Sequence, residues 1–393
     1  VWVYKDTDTS KLSTNEAITE AYIELTSTNY RTRIDEVLAH YPNCTDLYFF
    51  DDGSVTQLRC LVTNIQETNN WTYKDQIRKV TFMEGYFSGL TDIFRIFNSV
   101  PNLEEIDMSK IDCTIYTCDY AFVSCRKAKS IKLDGVKFNT ENFSYFYYDC
   151  RGLEDFIDIP DGVTLANCTY QSCEKMVNPP KIPVGVTNMS SCFYSCISLT
   201  TPPVIPNTVT NMNNCFQSCT KLTQAPVIPN GVTNMDSCFR NCANLTTAPT
   251  IPGTVEILNN CFRECKALEY APTMEPSIGY CQAGWMYYNC TNLKTAVIPL
   301  NAQYSSNMDG FLFGCSSLES ITFMGELAHA RNFDHLVNTS VPQATREQAL
   351  RDLVPEHLAT VTDGQYLVIL ERYPNVLSED EIEQATAKGW TLS

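Results

Sequence analysis

Nineteen cysteines are the side chains of this 393-residue sequence with the widest chemical reach. A thiol can cross-link, hold zinc or act as a nucleophile, and its spacing and surroundings select among these. Most sit at the two apolar positions of a recurring helical stripe, such as Cys192/Cys196, Cys215/Cys219, Cys238/Cys242 and Cys261/Cys265. Two thiols four apart on a helix point poorly for a bridge. Their period is that of the neighbouring Phe and Met, so they read as small core residues stacked in ladders. A four-cysteine zinc site assembled from successive pairs is conceivable, but the spacing does not select it over packing. An odd number of thiols is hazardous in an oxidising compartment. That favours folding in a reducing cytoplasm, as phage structural proteins do, or export by an anaerobe.

Other reactive constellations are missing. The sequence contains no Gly-x-Ser-x-Gly, no His-Glu-x-x-His, no P-loop and no dinucleotide fingerprint. Of four histidines, His329 and His335 fall near Glu326 and Asp334. That cluster reads as the surface of a terminal cap. A glycan-cleaving enzyme needs two carboxylates ~5–10 Å apart on one groove, and the central region is poor in acids. Residues 161–273 hold six acidic and six basic side chains. The reading is a protein that is not an enzyme, with no cofactor and no metal.

What positions these residues is a repeat. Tyr170-Gln-Ser-Cys173, Phe193-Tyr-Ser-Cys196, Phe216-Gln-Ser-Cys219, Phe239-Arg-Asn-Cys242 and Phe262-Arg-Glu-Cys265 recur every 23 residues. An apolar anchor follows each Cys by three: Leu153, Met176, Leu199, Leu222, Leu245, Leu268, Leu293 and Leu318. Ile77–Phe82, Leu103–Met108 and Ala128–Leu133 continue the register upstream, as does Cys44–Phe49. Self-similarity at such a period marks a solenoid, in which each turn covers the apolar face of the next. Roughly twelve turns of 23–26 residues fit between residues 43 and 325. The stretch 50–76 is an insertion or a poorly formed turn.

Within a turn, Met212, Cys215, Phe216 and Cys219 sit at i, i+3, i+4 and i+7, the stripe of a short helix that Thr210 or Asn211 could cap. Leu222-Thr-Gln-Ala-Pro-Val-Ile-Pro229 reads as a brief strand with sparse ladder bonding, because proline donates nothing to a ladder. Asn230-Gly231 turns the chain back. One strand and one short helix per turn make an α/β solenoid.

These residues resemble the BspA-like (Treponema-type) leucine-rich repeats of bacterial surface proteins and phage-borne relatives: Cys-x-x-Leu, then Ile-Pro, Val-x-x-Met and Cys-Phe-x-x-Cys. The resemblance covers about 280 residues and is densest over 161–325. It implies a right-handed leucine-rich-repeat array and a role in adhesion or recognition, and it names no ligand. The strands carry an extra residue, so a bulged strand face is expected.

Three regions are expected: an N-terminal capping or attachment segment 1–42, the solenoid 43–325, and a C-terminal α/β cap 326–393. The first holds helices around Asn15–Leu25 and over Arg31–His40. The last holds a helix over Thr345–Leu353, a strand over Gln365–Leu370, and a helix opened by the capping box Ser378-Glu-Asp-Glu381 and ended at Gly389. Its Lys-Gly-Trp-Thr-Leu ending is similar to the tails of leucine-rich-repeat proteins of gut bacteria and their phages. No signal peptide or anchor is visible, although the sequence begins at Val1 and not Met.

No apolar run approaches the ~20 residues that span a bilayer. A net charge of −17 without a basic stripe argues against nucleic acid and anionic lipid. The expected function is non-enzymatic recognition of a cell-surface glycan or protein, on the exterior of a phage virion or a bacterial cell, as a host-attachment protein or adhesin. The alternative is a structural scaffold or decoration whose partners are its own copies or other virion proteins. The candidate binding strip lies just after each anchor, where successive turns stack ~5 Å apart: Thr200, Thr201, Thr223, Gln224, Thr246, Thr247, Glu269, Tyr270, Lys294 and Thr295. Hydroxyls beside one aromatic suit a glycan or a polar protein surface. A second candidate is the aromatic group Tyr145–Tyr148 with Trp285, Tyr287 and Tyr288, of which half must be core.

Overall fold

The computed structural model describes residues 1–30, 32–59, 75–278, 281–299, 310–326, 337–338, 340–360, 366–367 and 373–392. They form two compact units, 1–199 and 200–393, with about eleven solenoid turns in all.

In the first unit a six-stranded parallel sheet runs β1 (Trp2–Val3), β2 (Glu20–Leu25), β3 (Asp46–Asp51), β4 (Lys79–Phe82), β5 (Glu105–Asp107) and then β7 (Ser130–Lys132). A smaller pair, β6 (Cys113–Ile115) with β8 (Val136–Phe138), forms on another side of the turns. The expected helix at Asn15–Leu25 is in fact largely strand β2. Ala21, Ile23 and Leu25 are buried in alternation, a period of two, and Tyr22 and Ile23 pair with both β1 and β3. The second expected helix is present as α1 (Arg33–Leu38). Most of the 50–76 stretch and the cluster around His329 and His335 lie outside the described residues.

The flank read as a helix is something else. Among the described residues of the repeats no helix forms there. The chain instead makes tight turns with a left-handed residue every fourth position: Asn214 and Ser218, Ser237 and Asn241, Asn260 and Glu264, at φ between 54° and 64°. Such a conformation costs an L-residue ~1 kcal/mol and is borne best by Asn. It breaks the i→i−4 ladder and turns alternate amides outward. Cys215, Gln217 and Cys219 N–H donate locally to Met212, Asn214 and Phe216 carbonyls. Met212, Asn214, Phe216 and Ser218 N–H donate across to Asn234, Asp236, Cys238 and Arg240 of the next turn at 2.8–2.9 Å. Asn211 does open this segment, its Oδ1 accepting from Asn213 N–H at 3.0 Å. A four-residue turn repeat buries i, i+3, i+4 and i+7 just as a helix does, so the periodicity was satisfied by a different backbone.

Inside each unit the core is columnar. Phe97, Phe122, Tyr147, Tyr170 and Phe193 stack at 5.5–6.2 Å in the first. Phe216, Phe239, Phe262 and Tyr287 do so at 5.6–6.1 Å in the second. The anchors beside them are fully buried. The thiols take the packed role: every described cysteine but Cys168 is buried, and none is bridged. The second Cys of each turn also donates to the carbonyl of the stacked aromatic one turn back, as Cys196 Sγ does to Tyr170 (3.1 Å) and Cys242 Sγ to Phe216 (3.0 Å). Burial pushes both thiols up to about 12, which leaves them without nucleophilic character at neutral pH.

In the proline-bearing repeats no strand forms, and only isolated bridges such as Gln224↔Thr247 remain. Strands return where the extended segment has a free run of amides, as β9 (Thr295–Pro299) and β10 (Ser320–Met324). The end of the second unit carries α2 (Gln343–His357), β11 (Tyr366–Leu367), α3 (Glu379–Ala387) and β12 (Thr391–Leu392). The Ser378/Glu381 capping box is present, Gly389 turns at φ 91°, and β12 pairs in parallel with β11. Much of the expected strand Gln365–Leu370 lies outside the described residues.

Candidate functional site

All ten strip residues belong to the second unit, and the anchor Leu of each turn fixes where they point. A buried Leu222, Leu245 or Leu268 aims inward, so the following residues emerge on the same flank. Thr200, Thr201, Thr223, Gln224, Thr246, Thr247, Glu269 and Tyr270 are exposed, and Lys294 and Thr295 are half-buried.

Successive turns are tied at this flank. Gln224 bridges Thr247, and Tyr270 bridges Thr295. Thr246 N–H and Oγ1 both donate to the Thr223 carbonyl, at 2.9 and 3.1 Å. The Thr246 hydroxyl keeps its acceptor lone pairs. Lys294 Nζ lies 2.8 Å from Glu269 Oε2 and 5.7 Å from the Tyr270 ring centre. The strip is therefore a neutral array of hydroxyls and an amide, ended by a self-compensated ion pair and a ring that is 56% exposed. It can accept and donate hydrogen bonds and stack, and it offers no acid–base pair.

Beside the strip lies a groove of about 360 Å³ between the segments 225–228 and 248–252. Ala225, Pro226, Val227, Pro249 and Thr250 line it, with Glu275 at one end. Prolines have no amide to close neighbouring segments together, which opens the groove. Val204 and Val227, one turn apart, are each 87% exposed. Sequence reasoning missed this apolar feature. Its signal was the residue between Pro and Ile in each Pro-x-Ile-Pro, which two buried neighbours force outward.

The second candidate, the aromatic group, divides between core and surface. Phe146, Tyr147 and Tyr287 are buried in the core, while Tyr145, Tyr148 and Tyr288 are half-buried. Trp285 is 40% exposed, and Phe313, which the sequence reading did not single out, stacks on Tyr288 at 5.0 Å. Among the described residues no group of three or more His, Cys, Asp or Glu side chains gathers as a metal would require.

Residues 48–177, 140–269 and 236–334 match the model of the BspA type leucine-rich repeat region. No curated protein matches the sequence. Among solved structures, a leucine-rich repeat protein from Bacteroides ovatus is 18% identical, with a TM-score of 0.50 over 77% of this chain and 78% of that one. That likeness shows the fold. A leucine rich cell surface protein from Faecalibacterium prausnitzii is 15% identical, with a TM-score of 0.34 over 78% and 83% of the two chains.

Proposed function

Because this chain belongs to the BspA-type leucine-rich-repeat family, we propose that it is a recognition protein attaching to a cell-surface glycan or protein through the strip Thr200–Thr295 of its second unit. Proteins of this family are typically surface-exposed, and such repeats are typically non-enzymatic interaction domains. Among the described residues no helix is long and apolar enough to cross a membrane. The place of action in this reading is the exterior of a phage virion or a bacterial cell.

One observation carries the reading. The strip is exposed, neutral and held rigid by bonds between turns, and it presents one projecting ring, Tyr270. Rigid aromatics dominate the energy of recognition surfaces because they bury area at little entropic cost. Tyr270→Ala therefore weakens attachment to the target cell by ~1 kcal/mol or more with thermal melting unchanged. Thr223→Lys combined with Thr246→Lys obstructs the strip to similar effect. Normal attachment by both well-folded variants removes the strip from recognition.

The exposed Val204 and Val227 favour the scaffold as a second reading, since adjacent bare valines beside a groove suit contact with another copy. Sedimentation velocity of the wild type and of Val227→Asp over a concentration series decides it. A self-association that the substitution abolishes favours the scaffold, and a monomer throughout favours attachment.

A further inference from the structure

The turn flank of the second unit carries one residue that the fold does not ask for. At the first left-handed position of successive turns stand Asn214, Ser237, Asn260, Trp285 and Gly310, at φ 54°, 55°, 54°, 58° and 73°. Four are types that tolerate this backbone or crowd it little. An indole there bears the same conformational cost and gains no partner in its own column. In the first unit, by contrast, Tyr120 and Tyr145 occupy this position and stack face to face at 4.4 Å and 5°. They satisfy each other. Trp285 has Asn260 on one side and a glycine on the other.

That glycine is fitted to the indole. A Cβ on Gly310 would come within 2.7 Å of Trp285 Cε3 and Cζ3, so only glycine lets the ring lie across the next turn. Tyr288 lies 5.4 Å from Trp285 and stacks on Phe313 at 5.0 Å and 8°. The Arg263 guanidinium sits 4.4 Å from the Tyr288 ring centre and 5.7 Å from that of Trp285, with Glu264 3.5 Å away to balance its charge. Trp285 and Phe313 remain 40% and 46% exposed, and the indole N–H has no hydrogen-bond partner among the described residues. Strained backbone and exposed rings held in place together suggest use, since strain persists where function retains it.

We infer that Trp285, Tyr288 and Phe313, with Arg263 at the edge, form a second binding site whose ligand is a neutral saccharide. The axial C–H bonds of a pyranose carry partial positive charge and lie well on the negative face of an aromatic ring. The hydroxyls around its rim meet the indole N–H and the guanidinium. Alternatives fit less well. Two exposed rings are too small an apolar area for a protein core contact. A nucleic acid or an anionic lipid needs a basic surface, and here the one cation is balanced by its neighbour in a chain of net charge −17. This site is separate from the Thr200–Thr295 strip and does not depend on it.

The test is affinity electrophoresis of the whole protein through native gels containing mannan, a soluble β-glucan or soluble N-acetylchitooligosaccharide polymer, with alginate and single-stranded DNA gels beside them. At least one neutral gel retards the wild type. Trp285→Asn, which installs the residue found at Asn214 and Asn260, weakens that retardation about tenfold or more while melting stays the same or rises. Phe313→Ser weakens it as well, whereas Tyr116→Ser, at an exposed ring of the first unit, leaves it intact. The inference is overturned if no neutral gel retards the wild type, if only alginate or DNA does, or if Trp285→Asn and Phe313→Ser run as wild type does.

Discussion

The turns between residues 46 and 132 and the 23-residue turns of the central repeats stack on the same anchors by different means. In the former, β3, β4, β5 and β7 zip the extended side with backbone bonds, and ions follow the ladder. Glu105 takes Lys79 at 3.2 Å and Lys132 at 3.1 Å, and Lys132 also reaches Asp107 at 3.8 Å. In the latter, prolines such as Pro226, Pro229, Pro249 and Pro252 delete the donors on that side. The opposite flank keeps four backbone bonds per turn to its neighbour, as it also does in the first kind of turn, where Ile93, Arg95, Phe97 and Ser99 N–H donate to the Thr117, Asp119, Ala121 and Val123 carbonyls. A solenoid can thus give up one of its two ladders and stand on the other. Where it does so, the extended side keeps only isolated bridges and is free to display side chains.

That contrast can be broken where the effect is largest, in the aromatic column that serves the proline-bearing turns. Phe239→Ala removes a ring stacked on both sides and should cost ~3–5 kcal/mol. Because turns couple mainly to their neighbours, hydrogen exchange should accelerate around residues 212–265 first. Uniform acceleration through the second unit would show that its turns are not separable.

A smaller and more discriminating effect lies at the left-handed positions. Were 212–219 a helix, Asn214→Ala would stabilise it, since alanine is the better helix former. In the observed turns it should instead destabilise by ~1 kcal/mol, with Asn214→Gly close to neutral. Chemical denaturation of the two variants compared with wild type reads the sign directly.

The smallest effect belongs to the ion ladder of the first kind of turn. Burial alone would raise the Glu105 carboxyl, but hydrogen bonds from Lys132 and Lys79 outweigh it and hold the group below its ordinary value. A carboxyl depressed on folding adds stability above its unfolded pKa and loses it as the pH falls through the folded one. Glu105→Gln should therefore cost ~0–1 kcal/mol at pH 7 and nothing at a pH below both values. A penalty that persists in acid would mean that the glutamate acts through packing.

These differences bear on what the sequence could say. Repeats, anchors, buried thiols, the Asn211 cap and the Ser378 box were legible because each depends on residue type at a fixed interval. The turn flank was misread because burial at i, i+3, i+4 and i+7 does not distinguish a helix from a four-residue turn repeat. The available sign was Asn or Ser recurring four apart, as in Asn214/Ser218 and Ser237/Asn241, where a helix has no use for them. Asn15–Leu25 was misread because alternation at Ala21, Ile23 and Leu25 was weighed less than helical composition. The strip was legible as an exposed row. The Trp285–Gly310 fit was not, since it joins residues 25 apart through a side-chain contact.

Residue-resolved hydrogen exchange on the native protein tests the central claim that the proline-bearing turns rest chiefly on the ladder of the turn flank. The account predicts slow exchange at Met212, Asn214, Phe216 and Ser218, whose amides cross to the next turn. It predicts fast exchange at Val227 and Thr250, whose amides make no hydrogen bond among the described residues. Protection at Val227 and Thr250 with rapid exchange at Asn214 and Ser218 would place the ladder on the extended side and contradict it.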